Sequence, residues 1–322
     1  MTIRVPGRVN LMGDHVDYHD GIVVPCAINA FITVRAELDD GPWTTSASVG
    51  EQWQCLPRGV IELLGEVPPF AAHVESTLPV GAGLSSSAAI AVAFAHLGAN
   101  FQGQPINRLT LAKLAQRAEH EYAGVMCGLM DQLAVSYGQA GRALRIDLQT
   151  ETITPIPIPE AWTIALIPTG VTHELASTEY GQRRAATMAT AQRLGLTTLR
   201  NSTADQVKSD PLATHVVDEI ARAEAFCAAL LNADETVAGA LMRASHESLD
   251  QLYRVSCPEL NAAAARAWAA PGCIGARMTG GGFGGSVVAL VHQNRKAAFH
   301  RAVPEARFVE PVDGARFVSE PG

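Results

Sequence analysis

The stretch Leu78-Pro79-Val80-Gly81-Ala82-Gly83-Leu84-Ser85-Ser86-Ser87-Ala88-Ala89 is a glycine- and serine-rich loop that runs straight into apolar residues. The chemistry it suits is phosphate binding. A helix begins with backbone N–H groups that lack intrahelical partners and carries roughly +0.5 charge there, so an anion at that end is stabilised. Gly81 and Gly83 have no Cβ to keep a polyphosphate off those amides. Ser85, Ser86 and Ser87 add hydroxyls for phosphate oxygens or a metal. The same composition also suits a flexible turn ahead of a capped core helix, since Ser is a favoured N-cap, and the loop alone leaves both readings open. It is not a Walker loop, because no Gly-Lys-Ser/Thr follows the glycines.

Other candidate groups lie far away in sequence. Pro6 to Gly21 packs Arg8, Asp14, His15 and Asp17 between glycines at the start of a β-branched run, where a buried strand can hold them rigid. A solvated turn would use the same Asp, Asn and Gly residues. Gly280-Gly281-Gly282-Phe283-Gly284-Gly285 separates two apolar runs. Five glycines in six positions are hard to justify in a hairpin, because each costs backbone entropy. Close approach to a ligand, or to the first glycine loop, explains them better. Trp53 could be a flat platform, although a core aromatic is its more common role.

The elements that must position these groups follow from periodicity. Residues 22–37 and 71–77 read as strands and 88–97 as a helix behind the serine loop. Leu111, Leu114, Ala115, Ala118 and Tyr122 recur at helical spacing over 107–122, which puts Glu119 near the end of a helix with one buried face. A short helix opening at Leu129 carries Asp131 in its first turn; 142–148 reads as an edge-like strand and 162–167 as another. Helices are expected over 177–194, 212–230, 234–252 and 258–269. The Pro-rich 154–159 cannot continue a central strand or a helix, and marks the expected boundary between domains 1–155 and 156–322.

Bulk properties narrow the function classes. The chain has 322 residues, of which 48% are hydrophobic and 17% charged, which is enough apolar material for two cores and too little charge for disorder. A net charge of −8 with no basic cluster argues against a nucleic-acid surface, so no nucleic-acid partner is expected. Cysteines 26, 55, 127, 227, 257 and 273 show no paired C-x-x-C spacing, which disfavours a disulfide framework or a zinc site and fits reduced thiols. No signal-like apolar core opens the sequence and the longest apolar run, 88–95, is too short to span a bilayer. A cytoplasmic protein with no membrane partner is expected; monomer and homodimer remain equally open.

Three segments together are far more specific than any one. Pro6-Gly7-Arg8-Val9-Asn10-Leu11-Met12-Gly13-Asp14-His15-Val16-Asp17-Tyr18, the run Gly81 to Ala88, and Arg277-Met278-Thr279 through Gly285 resemble, in order and spacing, the three motifs of the GHMP small-molecule kinases, and of the galactokinase branch in particular. Ala118-Glu119-His120-Glu121-Tyr122-Ala123-Gly124, Cys127 to Gln132, and Gly170-Val171-Thr172-His173 running to Tyr180 extend the resemblance over nearly the whole chain. It implies an α+β (two-domain α/β) fold, with a ribosomal-protein-S5-domain-2-like N-terminal domain, a ferredoxin-like C-terminal domain and the active site between them. It implies ATP and Mg²⁺ as cofactors and a sugar phosphorylated at its anomeric C1 hydroxyl. Gly81, Ala82, Gly83, Leu84, Ser85, Ser86 and Ser87 would hold the ATP phosphates, Trp53 would face the adenine, and Ser87 and Glu119 would hold the metal. Asp131 and Arg8 would be catalytic, and Asp14, His15, Asp17, Gly128 and Tyr180 would meet the sugar.

The residue types agree with that chemistry. Phosphoryl transfer through a loose transition state depends mainly on positioning and countercharge; Arg8 is a permanent cation, and Asp131 is expected to orient the sugar hydroxyl and accept its proton. Where the branch usually has Glu, this chain has Asp14, shorter by about 1.5 Å, one C–C bond. Either the sugar pocket has room at C6 for an altered or higher-carbon sugar such as an octose, or Asp14 reaches the ordinary hydroxyl directly or through water. A non-catalytic sugar and ATP sensor is the alternative from another class. The intact Gly-Leu-Ser-Ser-Ser-Ala run, with Arg8 and Asp131 both present, favours an enzyme. A kinase for mevalonate or homoserine is disfavoured by the hydroxyl-seeking cluster Gly13 to Tyr18.

Overall fold

The computed structural model describes residues 1–41, 44–47, 54–79, 82–103, 105, 107–172 and 176–319. In chain order the elements are β1 (Thr2–Asn10), β2 (Ile22–Val23), β3 (Pro25–Leu38), β4 (Thr44–Ala47), α1 (Cys55–Leu64), β5 (Phe70–Ser76), α2 (Ser86–Phe101), α3 (Arg108–Tyr122), α4 (Met130–Tyr137), β6 (Arg142–Asp147), β7 (Thr152–Pro157) and β8 (Trp162–Thr172). They are followed by α5 (Ala176–Arg193), α6 (Ala204–Val207), α7 (Pro211–Leu231), α8 (Glu235–Gln251), α9 (Pro258–Ala269), β9 (Cys273–Thr279), β10 (Gly284–His292), α10 (Lys296–Ala302), β11 (Arg307–Val309) and β12 (Arg316–Val318).

One sheet runs β12-β1-β3-β5-β4, a second β11-β8-β10-β9, and a small third β2-β6-β7. The second is antiparallel throughout, and its first-to-last strands lie in the order 4-1-3-2 of a ferredoxin-like split βαβ unit. The expected α+β class therefore holds. Helix α2 is apolar on every face from Ala88 to Ala95, and that stretch is buried all round. It packs against β1, β3, α1, α3 and α4. The apolar core around it continues through Phe226 and Met242 to Ile164, Leu166, Val288 and Leu290 of the second sheet, so the two halves share packing.

The expected elements recur with three revisions. The run 22–37 breaks at Val24 into β2, which pairs with β6, and β3, which pairs with β1, so the chain changes sheet there. The Pro-rich segment is strand β7 at a sheet edge, where a missing N–H costs no ladder bond. Strand β6, expected at an edge, is thereby the middle strand. Residue 155 falls inside β7, and the last strand, β12, returns to pair with β1. Local chemistry sets the helix starts: Asp210 and Asp234 accept backbone N–H groups at the first turns of α7 and α8, and Pro opens α7 and α9.

Candidate active site

The serine loop does not use its first serine as a helix cap. Ser85, which precedes α2, has a φ of 60° and makes no side-chain cap. Its hydroxyl instead donates to Asp131 Oδ2 at 2.6 Å. Strand β1 lies directly beneath the loop: Arg8 N–H donates to the Leu84 carbonyl at 3.2 Å, and a Cβ on Gly7 would sit 2.9 Å from that same oxygen. The glycines near the C-terminus press on the loop from the other side. Ser286 Oγ donates to the Ala82 carbonyl at 3.0 Å, and a Cβ on Gly280 would lie 3.5 Å from the Gly83 carbonyl. The segment therefore meets the first glycine loop, at ordinary contact spacing and through the Ser286 hydroxyl rather than by a crowded backbone approach.

Arg8 and Asp131 form a two-pronged ion pair across 123 positions of sequence. Nε donates to Oδ1 at 2.7 Å and Nη2 to Oδ2 at 2.8 Å, while Nη1 donates to the Gly83 carbonyl at 2.6 Å. Arg8 is 5% exposed, so this charge pair is geometrically fixed rather than a surface contact. A cavity of about 500 Å³ opens over it, lined by Arg8, Asp14, His15, Asp17, Gly83, Ser87, Glu119, Gly128, Asp131, Tyr180 and Gly280 to Gly282, with Gly124 to Cys127 forming one wall. Thus most residues expected of sugar, phosphate and metal binding converge on one space. Ala82, Leu84, Ser85 and Ser86, also expected at the phosphates, do not line the cavity; Ala82 and Leu84 are buried and Ser86 begins α2. Trp53, Gly81 and His173 lie outside the described residues.

Burial and charge tune the acidic groups. Asp17 is pushed up to about 7 by burial and by the neighbouring Asp131 and Asp14 carboxylates, with Arg184 opposing. Glu119, 3% exposed, is likewise pushed up to about 7 by burial and by Asp131, against hydrogen bonds from Gln132 and Ser87. Gln132 Nε2 donates to Glu119 Oε1 at 2.6 Å. Gly128 is where it is for Asp17: a Cβ there would come within 1.9 Å of Asp17 Oδ2.

His15 has a different part from a simple hydroxyl ligand. Nε2 meets the Gly281 carbonyl at 3.2 Å, so it carries the proton, and Nδ1 must then accept from the Tyr18 hydroxyl at 3.1 Å. Burial, followed by the charge of His215, lowers its pKa to about 3 and keeps the ring neutral. Both ring nitrogens are thus taken by protein partners, and the ring ties the first motif to the third while offering the cavity its surface. Tyr18 in turn shares a 2.6 Å hydrogen bond with Tyr253, whose ring stacks on His15 at 4.7 Å.

Sequence reasoning missed a buried polar cluster behind Asp14. Arg277 Nη2 donates to Asp14 Oδ2 at 2.5 Å and Asn10 Nδ2 to Oδ1 at 2.9 Å. Glu219, held at about 2 against its own burial by Arg222 and Arg277, lies 3.6 Å from Arg277. A signal existed: Glu219 sits on the apolar stripe Val216, Ile220, Ala223 of α7, and Arg277 lies in an otherwise apolar strand. A charge in such a place needs a buried partner. Which partner it finds is a tertiary matter.

Comparison with known proteins agrees with this geometry. The family description "Galactokinase galactose-binding signature" matches residues 1–37, "GHMP kinases N terminal domain" residues 55–139 and "GHMP kinases C terminal" residues 226–309. A galactokinase of Chloroflexus aurantiacus is 40% identical over 93% of this chain and 86% of its own length. One from Thermotoga neapolitana is 36% identical over 95% and 93%. The chain belongs to the galactokinase family of GHMP kinases. The crystal structure of Lactococcus lactis galactokinase complexed with galactose superposes with a TM-score of 0.93 at 27% identity, covering 98% of this chain and 95% of that one. Among the described residues no helix is long and apolar enough to cross a membrane.

Proposed function

We propose that this protein transfers the γ-phosphoryl group of ATP to the anomeric C1 hydroxyl of galactose, giving galactose 1-phosphate and ADP. The observation that carries the reading is the fixed Arg8–Asp131 pair at the base of a cavity that also holds Ser87 and Glu119. Family membership supplies the substrate: the relatives in the preceding section are galactokinases.

On this reading Asp17, Asp14 and Tyr180 receive the sugar, and the backbone from Gly81 to Ser87 receives the phosphates. The C1 hydroxyl points at Asp131, which takes its proton as the oxygen bonds to the γ-phosphorus and the bond to the β,γ-bridging oxygen of ATP breaks. Arg8 keeps two of its five N–H bonds uncommitted, and they balance charge gathering on the transferring group. Ser85 holds Asp131 from the loop side.

The residues also fit Mg²⁺. The ion takes hard oxygen ligands and is usually held by one or two carboxylates together with substrate phosphates. Ser87 and Glu119 offer a hydroxyl and a buried carboxylate on one wall, and a carboxylate pushed up to about 7 gains from a cation beside it. When bound, Mg²⁺ would neutralise the β- and γ-phosphate oxygens.

Incubation with galactose, ATP and Mg²⁺ tests the reading by ADP release and by the anomeric phosphate in the phosphorus NMR spectrum. Sugar and ATP binding without ADP release would instead favour a sensor. Competition of galactose against C6-extended analogues tests the pocket at Asp14; a clear preference for galactose removes the enlarged-pocket alternative.

A further inference from the structure

Asp14 is fastened on every side by groups behind the cavity. Its carboxylate accepts from Asn10 and Arg277 at 2.9 and 2.5 Å. Its carbonyl accepts from His215 Nε2 at 3.2 Å, and the N–H of the preceding Gly13 donates to Glu219 Oε1 at 3.1 Å. Glu219 also receives Ser245 Oγ at 2.6 Å and Arg222 Nε at 2.7 Å. Arg277 and Glu219 are both 0% exposed and neither lines the cavity, whereas Asp14 does. One carboxylate of α7 therefore holds both the backbone beside Asp14 and the guanidinium that grips its side chain.

We propose that Arg277 and Glu219 are positioning residues for Asp14, aiming its carboxylate into the cavity and so setting affinity for the sugar rather than for ATP. This rests on the reading of the cavity as a galactose site. Each carboxylate oxygen has two lone-pair directions; Asn10 and Arg277 occupy one on each oxygen from behind, which leaves acceptors toward the cavity. Asp14 has only two side-chain torsions, and with Asn10 on one carboxylate oxygen and Arg277 on the other both are fixed, so its direction follows these partners. The charges balance within the cluster, with Asp14 and Glu219 against Arg277 and Arg222. Removing Arg277 would leave two buried carboxylates facing one another, and Asp14 would turn away or take up a proton.

A merely structural role, fastening α7 to β9, makes a different forecast. Galactose KM, ATP KM and kcat would be measured for R277M and E219Q, each alone and with D14N. R277M is expected to raise galactose KM at least tenfold while ATP KM moves less than threefold, with E219Q acting in the same direction. With D14N already present, adding R277M should change galactose KM less than threefold, because the group it positions is gone. An equal rise in both KM values, or the same factor with and without D14N, would overturn the proposal. If R277M fails to fold, the D14N/R277M pair removes one charge of each sign and is expected to fold. A galactose KM equal to that of D14N then supports the proposal, and a further tenfold rise overturns it. A wild-type protein that neither phosphorylates nor binds galactose overturns the substrate reading and this proposal together; an active wild type with an unmoved R277M overturns only this one.

Discussion

Asp17 is expected to cost the unliganded protein stability at neutral pH, and Asp17→Asn should recover it. The carboxyl titrates near 7 in the folded chain against an ordinary 3.8, because burial and the charges of Asp131 and Asp14 disfavour its ionised form. Below about pH 4 the side chain is protonated folded or unfolded, and nothing is lost. Between 4 and 7 the unfolded chain ionises while the folded one stays protonated, so stability falls as pH rises and the full cost is present above 7. At 1.36 kcal/mol per unit the upper bound is about 4 kcal/mol. Solvent reaching the cavity face of Asp17 screens it, and we take about half, roughly 2 kcal/mol.

Asparagine keeps the shape and the acceptor for the Tyr18 N–H, which Asp17 Oδ1 meets at 3.1 Å. For 322 residues, about 2.1 cal/mol/K per residue makes 2 kcal/mol worth about 3 °C in Tm. Thermal unfolding without ligand should therefore show D17N above wild type by about 3 °C at pH 8, narrowing to about 1 °C at pH 5. Galactose KM should rise at least tenfold in the same variant, and in the wild type it should rise as pH falls below 7, since sugar hydroxyls donate best to the ionised carboxylate. A D17N protein less stable than wild type at pH 8, or a gap independent of pH, would refute the reasoning.

The other expectations are local. Asp131→Asn removes the proton acceptor and half of the Arg8 pair, and kcat should fall by about 10² to 10³, read by ADP release with sugar and ATP binding retained; near wild-type turnover would remove the assignment. Ser85→Ala loses a hydrogen bond to a charged group, worth about 1.5 kcal/mol or more, so kcat should drop about tenfold with Tm little changed. Gly128→Ala drives a methyl group into the Asp17 carboxylate, since its Cβ would sit 1.9 Å from Oδ2. Galactose KM should rise at least tenfold while ATP KM stays near its wild-type value.

Much of the site was legible because motif chemistry is local. Gly7 and Gly282 mark where backbone must approach backbone, and the positive φ at Gly83, Gly280, Gly282, Gly284 and Gly285 is a conformation L side chains rarely adopt. Helical spacing placed Glu119 on a buried face near the end of α3 and Asp131 in the first turn of α4. The edge position of β7 and the sheet change at Val24 were not legible, because prolines and β-branched residues report on strand character and not on which neighbour a strand finds.

By itself the sequence determined which groups can do the chemistry: a cation at 8, carboxylates at 14, 17, 119 and 131, hydroxyls at 85 to 87, and backbone left bare by glycine. Tertiary structure alone decided what each group spends its bonds on. Ser85 serves Asp131 instead of capping α2, His15 gives both nitrogens to protein partners, and Asp14 answers to Arg277 and Glu219 more than two hundred positions away. The physical reason is that hydrogen bonding and desolvation depend on distances through space, and a one-dimensional spacing fixes those only within a turn or a strand.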